Sequence, residues 1–452
     1  MKRRRGDAPI HISTNNTTQP YQTLRGDIVV TSNGLLKPGY ISFDNDGNIT
    51  SISKQTPNQN TSVQTFPIII PGFVDIHNHG VGGAEDVIDY WNNPSYNLSR
   101  LAKQGTTSCL ATVVFPDPGS GDIQNNSKQN IRSKVTCDTI STIVNQNGYG
   151  CVVRGIHAEG PVVATLGGLP DSSKQAAGDL DSFHLLLNNI GPYLKMMTIS
   201  PSCDTINNYQ RFQLLAERNI KISLGHDKNC TESEILKVLH AVKPMRCHMT
   251  HVFNVQSFHH RNSGLANFAL VSKFPSLIQY QGIEPPTVEV IGDLKHVSPM
   301  ALRALLGARS PTDMCCITDA IAESIPGKTI KYSSTRLAEV SNDGTTVNIA
   351  GSNVLCGSCT NMHETFRRLI DILGVSLEDA VLICATTPSQ IVGIDDQVGS
   401  IEIGKKGDLL LLDDKLNLME TVIGGCSVWQ QMEPYVVKVG RRKKAKRETK
   451  KK

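Results

Sequence analysis

Short apolar runs alternate with helix-like segments through the middle of the chain, while both ends have a different texture. The stretches FPIIIPGFVDIHNH, TTSCLATVVF, CVVRGIHAEG, LKMMTISP, NIKISLGHD, PMRCHMTHVFN, TVEVIGD and DMCCITDA read as eight strands. Runs this short, rich in Val, Ile and Thr and closed by Gly, Asp, Asn or Pro, suit buried strands better than helices. Between them, SEILKVLHAV (233–242), SPMALRALLGA (298–308) and TFRRLIDILG (365–374) repeat apolar residues at helical spacing. Eight strands separated by helices over roughly 250 residues match a (β/α)8 barrel, although a doubly wound open sheet fits the same alternation.

The ends alternate on a shorter period. GDIVVTSNGLLKPGYISFDNDGNITSISK carries Asn-Gly, Pro-Gly and Asp-Gly turns, and GSIEIGKKGDLLLLDDKLNLMETVIGG (399–425) repeats that texture. The expected fold class is α/β: a TIM-like (β/α)8 barrel with a small β-sandwich domain formed from both chain ends. We expect a disordered segment at 1–22, the small β domain at 23–67 and 395–439, the barrel at 68–394, and a disordered basic tail at 440–452. The polar stretch at 116–130 reads as a loop.

Composition narrows the classes further. No apolar run approaches the roughly 20 residues that span a bilayer, and the basic start lacks the apolar segment of an export signal. The formal charge of +4 hides an uneven distribution, since GRRKKAKRETKKK (440–452) holds nine basic residues and one acidic. Such a tail suits nuclear import or a weak hold on nucleic acid and says nothing about catalysis. The twelve cysteines are expected to be reduced and mostly buried, and CGSC (356–359) has no second pair to complete a four-thiolate zinc site. We therefore expect a cytoplasmic protein, nuclear through its tail as the alternative, with no membrane partner.

The strand ends carry the chemistry. His77 and His79 close the first strand, His157 and Glu159 the third, His226 the fifth, His248 and His251 the sixth, and Asp319 the eighth. His77 and His79 share one strand face because successive side chains alternate. In a barrel all these ends converge on one rim, where active sites are built. Imidazole nitrogen and carboxylate oxygen are the ligands of a hydrolytic divalent ion, and Glu159 suits a bridge between two ions. Asp319, directly after the apolar MCCI, is the candidate general base, with a helix cap as the bland alternative.

The order PGFVDIHNHG, GIHAEGP (155–161), SLGHD (223–227), THVFN (250–254), HHR (259–261), ITDA (317–320) and GSIEIGKKGDLLLLD (399–413) resembles the amidohydrolase superfamily, and within it the N-acetylglucosamine-6-phosphate deacetylase group. The resemblance covers about residues 25 to 425. It implies that Glu159, His226 and His251 hold a principal ion and that His77 and His79, with Glu159 bridging, hold a second. Zn is expected first, with Fe, Mn or Co as alternatives. It further implies that Asp319 is catalytic, that His296 helps bind substrate, and that Asn254 and Arg261 position the sugar phosphate, the arginine from a neighbouring subunit of a homodimer. His157 is a candidate for polarising the substrate carbonyl. The partner implied is a small amino-sugar phosphate, and the reaction implied is hydrolysis of its N-acetyl amide.

Four segments depart from the group's pattern: PVVATLGGLPDSSKQAAG lacks a Gly-Ala-His, Pro201-Ser202 stands for Pro-Glu, Asp293-Leu294-Lys295 replaces Asp-Gly, and FNVQ replaces FNAM. They touch the expected pocket and leave the expected ligands intact. The alternatives are therefore an amidohydrolase acting on another N-acyl or cyclic amide, and a non-catalytic sugar-phosphate-binding relative.

Overall fold

The computed structural model describes residues 20–56, 61–82, 84, 87–115, 128–148, 150–169, 180–205, 208–333 and 336–430. The basic tail at 440–452 lies outside the described residues, as do most of the N-terminal segment, nearly all of the polar loop at 116–130 and the later part of PVVATLGGLPDSSKQAAG.

Eight strands form one parallel sheet in chain order: β1 (Phe73–Asn78), β2 (Thr106–Val114), β3 (Val152–Glu159), β4 (Leu194–Ile199), β5 (Lys221–Leu224), β6 (His248–Met249), β7 (Thr287–Ile291) and β8 (Met314–Ile317). β1, β2 and β3 are buried along their whole length, as strands covered on both faces must be. Helices α1 (Pro94–Lys103), α2 (Lys128–Ile143), α3 (Leu180–Ile190), α4 (Gln210–Glu217), α5 (Glu232–Ala241), α6 (Leu265–Ala269), α7 (Pro299–Ala308) and α8 (Met362–Asp371) follow the strands in turn. Their starts follow local chemistry: Thr231 and Glu234 form a reciprocal cap at α5, and Ser298 caps α7 with Pro299 in its first turn. The ring closes between the first and last strands. Asp319 N donates to His77 O at 2.9 Å, and His79 N donates to Ala320 O at 3.0 Å. Below this seam the Asp75 carboxylate accepts from the Thr318 hydroxyl at 2.6 Å. The structure is thus a closed (β/α)8 barrel rather than an open doubly wound sheet.

Both chain ends share a second sheet of eight strands, in which Val63–Pro71 lies between Thr23–Thr31 and Leu409–Leu412. Its apolar face packs Leu24, Val29, Ile41, Ile69, Leu409, Leu411 and Val422 into a core of its own. The stretch FPIIIPGFVDIHNH, which reads as one strand, is therefore two: its first half belongs to this sheet and its second half to the barrel. Gly72 is the hinge between them. A Cβ placed there would sit 2.2 Å from Thr107 Oγ1 and 2.3 Å from its Cγ2, a buried β-branched side chain with little room to turn. Gly72→Ala is expected to lower stability by about 1–3 kcal/mol through overpacking, read as a lower denaturation midpoint; an unchanged midpoint would show that the junction yields freely.

A four-stranded antiparallel sheet, Thr329–Lys331, Leu337–Val340, Thr346–Ile349 and Leu355–Ser358, is inserted between β8 and α8. Tyr332 within it donates its hydroxyl hydrogen to Gly168 O at 3.0 Å, tying the insertion to the loop after β3. The twelve cysteines are free thiols, buried except for half-buried Cys426.

Candidate active site

The C-terminal rim of the barrel gathers the histidines and acids. Alternation along β1 sends Asp75, His77 and His79 inward while Val74 and Ile76 pack in the core, and β3 presents His157 and Glu159 likewise. His226, His251 and Asp319 arrive differently. Each has a left-handed backbone, with φ of 51°, 25° and 49°. Such a conformation costs a non-glycine residue of order 1–3 kcal/mol and clusters at functional sites. Here each kink falls just past a strand end, at the rim.

Glu159 is the centre of the cluster. Its Oε1 lies 3.0 Å from His226 Nε2, 3.3 Å from His251 Nε2 and 3.5 Å from His77 Nε2, and its Oε2 lies 3.1 Å from His79 Nε2. Two groups follow, His77, His79 and Glu159 on one side and Glu159, His226 and His251 on the other, each with its ligand atoms within 4.8 Å of one another. Burial favours the neutral acid at Glu159, but His77, His226 and His251 outweigh it and hold the carboxyl well below the usual carboxylate range.

Two observations test whether a divalent cation fits. His77 Nε2 is buried without a hydrogen-bond partner, facing Glu159 Oε1 at 3.5 Å and Asp319 Oδ1 at 3.6 Å. His226 Nδ1 donates to Thr165 O at 3.0 Å, which leaves the Nε2 of a neutral ring bare, and that bare nitrogen stands 3.0 Å from His251 Nε2. Lone pairs converging on a shared carboxylate need a cation or a proton between them. Ligand separations of 3.0 to 3.5 Å lie close to the edges, about 3.3–3.6 Å, of a tetrahedron with arms of about 2.0–2.2 Å. The residues fit a divalent ion on either side of Glu159.

Asp319 stands at the edge of the cluster, its Oδ1 3.3 Å from His79 Nε2 and its side chain 14% exposed. Burial works to raise its pKa, but His79 and His77 bring it below the ordinary aspartate value. It is therefore a carboxylate at neutral pH, open to the cavity. That cavity, about 140 Å³, is lined by His79, Glu159, His226, His251, Asn254, His296 and Asp319, with Tyr332, Leu355 and Cys356 from the inserted sheet forming an opposite wall. His296 Nδ1 donates to Asp293 Oδ2 at 2.6 Å, which fixes the ring and leaves Nε2 free. Asn254 uses its Nδ2 on His251 O at 3.2 Å and keeps its oxygen free of that contact.

Besides His77, which is wholly buried, two candidates lie apart from the cavity wall. His157 is wholly buried beneath the site, with Nε2 2.9 Å from Thr198 Oγ1 and its ring 4.6 Å from that of His77. Burial, together with the nearby His77, pushes its pKa well below the usual histidine value, so it packs as a neutral ring. Arg261 sits on the exposed loop at 258–262, where its backbone N donates to His259 Nδ1 at 3.3 Å. Glu289, which accepts from His77 Nδ1 at 2.6 Å, lies inside its strand and so outside the strand-end pattern. The signal was present: one acid in the apolar TVEVI, on the parity opposite Val288 and Val290, faces the barrel interior.

The protein is 27% identical over 404 residues to N-acetylglucosamine-6-phosphate deacetylase of Bacillus subtilis (strain 168), covering 88% of this chain and 94% of that protein. It is 28% identical over 378 residues to the deacetylase of the same name from Rattus norvegicus, covering 81% and 84%. In fold it resembles N-acetyl-D-glucosamine-6-phosphate deacetylase from Mycobacterium smegmatis, with a TM-score of 0.74 at 22% identity over 90% of this chain and 99% of that one. The counterpart from Thermotoga maritima gives 0.71 at 22% identity, over 89% and 98%. The sequence profile of the amidohydrolase family matches residues 211–441, just over half the chain, and with its barrel closed around a His/Glu centre the protein belongs to the amidohydrolase family.

Proposed function

We propose that the protein hydrolyses the N-acetyl amide of N-acetylglucosamine 6-phosphate, giving glucosamine 6-phosphate and acetate. The observation that carries this reading is the juxtaposition of Glu159, shared by two His groups, with an ionised carboxylate, Asp319, that opens on the same cavity. The relatives of that name, matched over four fifths or more of this chain, support the choice of amide.

Glu159, His226 and His251 would hold one divalent ion, and His77 and His79, with the same Glu159 carboxylate, would hold a second. Zn is the proposed ion. When bound, such an ion lowers the pKa of a water towards about 7 and polarises a carbonyl oxygen. Asp319 takes the proton of the attacking water and returns it to the departing nitrogen, so one carboxylate serves as base and then as acid in a single turnover. His296, with Nδ1 committed to Asp293, presents Nε2 to the substrate. Asn254 offers an amide oxygen to a sugar hydroxyl. Among the described residues no lysine or arginine lines the cavity, so the phosphate charge is met outside it. Arg261, delivered from a second copy of the chain in a homodimer, is the proposed partner, because a guanidinium forms two parallel hydrogen bonds to phosphate oxygens. No helix among the described residues is long and apolar enough to cross a membrane.

The test is amide hydrolysis, read as acetate release from N-acetylglucosamine 6-phosphate and unphosphorylated N-acetylglucosamine and as loss of the amide for a panel of other N-acyl and cyclic amides, before chelation, after it and after adding back Zn²⁺. The expected outcome is turnover of the phosphorylated acetamide, lost on chelation and restored by the ion. Turnover of another amide in its place would replace the substrate and keep the chemistry. Metal-independent turnover would remove both.

A further inference from the structure

Glu289 lies in the middle of β7, wholly buried, below the floor of the site. Its Oε1 accepts from His77 Nδ1 at 2.6 Å and from the His251 backbone N–H at 3.2 Å, and its Oε2 accepts from His248 Nε2 at 3.1 Å. The remaining nitrogen of His248 is 2.8 Å from Thr287 Oγ1, whose hydroxyl hydrogen it accepts. A charge this deep persists only when its lone pairs are met, and here donors from two strands and the β6 rim meet them.

The arrangement has two consequences for the site above. Because Glu289 takes the hydrogen on His77 Nδ1, Nε2 is the nitrogen turned towards Glu159 and Asp319, and the one a cation would take in place of a proton. Because the same oxygen holds the amide of His251, the left-handed turn at that residue is anchored to the carboxylate that orients His77. The negative charge behind the ring also makes Nε2 a stronger donor to a cation.

We propose that Glu289, backed by His248, is the positioning residue that allows the His77, His79 and Glu159 side of the site to retain a second divalent ion. This rests on the metal reading given above. In Glu289→Gln the amide oxygen can still accept from His77, and the amide N–H₂ can donate to His248 Nε2 once that ring adopts its other tautomer and donates to Thr287. The variant therefore keeps the shape and removes the charge.

The experiment is Co²⁺ titration of the metal-free full chain by calorimetry, with metal content by elemental analysis and the visible absorption of bound Co²⁺ recorded alongside. Wild type is expected to take two ions per chain. Glu289→Gln is expected to keep one at full affinity and to bind the other about 10–100-fold more weakly. Glu289→Asp, which retains the charge on a shorter arm, is expected to recover part of that loss. A purely structural role would weaken both ions together and lower the melting temperature, and that result overturns the proposal. Two ions bound with unchanged affinity in Glu289→Gln also overturn it. Saturation of wild type at a single ion overturns it while leaving the hydrolase reading intact, and failure of wild type to bind any ion overturns both.

Discussion

Replacing Asp319 with asparagine is expected to lower kcat by at least about 10²-fold while leaving metal content unchanged. The substitution preserves volume and keeps an oxygen at the rim, so Asp319 N can still donate to His77 O, which closes the barrel, and Ser358 N of the inserted sheet to the Asp319 carbonyl. What disappears is the ability to accept a proton from water and to return it to the leaving nitrogen. Asp319 stands outside both groups suited to a cation, so its loss should not empty them. KM should change little, because the carboxylate acts on the reacting atoms and not on the rest of the sugar. Metal analysis on the same sample separates this outcome from site collapse. A wild-type rate in Asp319→Asn would remove the residue from catalysis, and a low rate with the ions gone would make it a ligand.

The barrel was legible because parallel strands covered on both sides appear as continuous apolar runs, and the eight runs read from the sequence are the eight strands of the ring, in order. The ligand candidates were legible through strand parity: His77 and His79, or His157 and Glu159, are two residues apart and must share a face. Other features left little trace. The split of FPIIIPGFVDIHNH depends on the close approach of Thr107 to Gly72, a contact between segments 35 residues apart in sequence. The inward aim of His226, His251 and Asp319 depends on left-handed backbone at residues that rarely adopt it, which no local pattern announces. The inserted sheet from Thr329 to Ser358 is short-stranded and partly exposed, with alternation too brief to stand out, yet it supplies the cavity wall. Parity also distinguishes His157 from its neighbour only by depth: both it and Glu159 point inward, but two residues further along the strand is the difference between packing under the site and lining it.

Glu159→Gln should have the largest effect on metal binding, because this one carboxylate belongs to both His groups. Oε1 faces His226, His251 and His77 while Oε2 faces His79, so losing its charge weakens both positions at once. Residues one layer removed from an ion already cost about 10–100-fold in affinity when replaced, and a direct ligand shared by two ions should exceed about 10²-fold at each. His79→Gln provides the contrast, since His79 belongs to only one group and its loss should spare the ion held with His226 and His251. Thermal melts give a readout independent of turnover. An ion that binds only the folded chain stabilises it by about 2.7 kcal/mol at one hundred times its dissociation constant, so added Zn²⁺ should raise the melting temperature of wild type and, to a lesser extent, of His79→Gln. In Glu159→Gln that rise should vanish, with acetate release falling to background. If the variant kept both ions and its metal-dependent melting shift, the cations would lie elsewhere, and the convergence of four imidazoles on Glu159 would be a packing arrangement without a hydrolytic role.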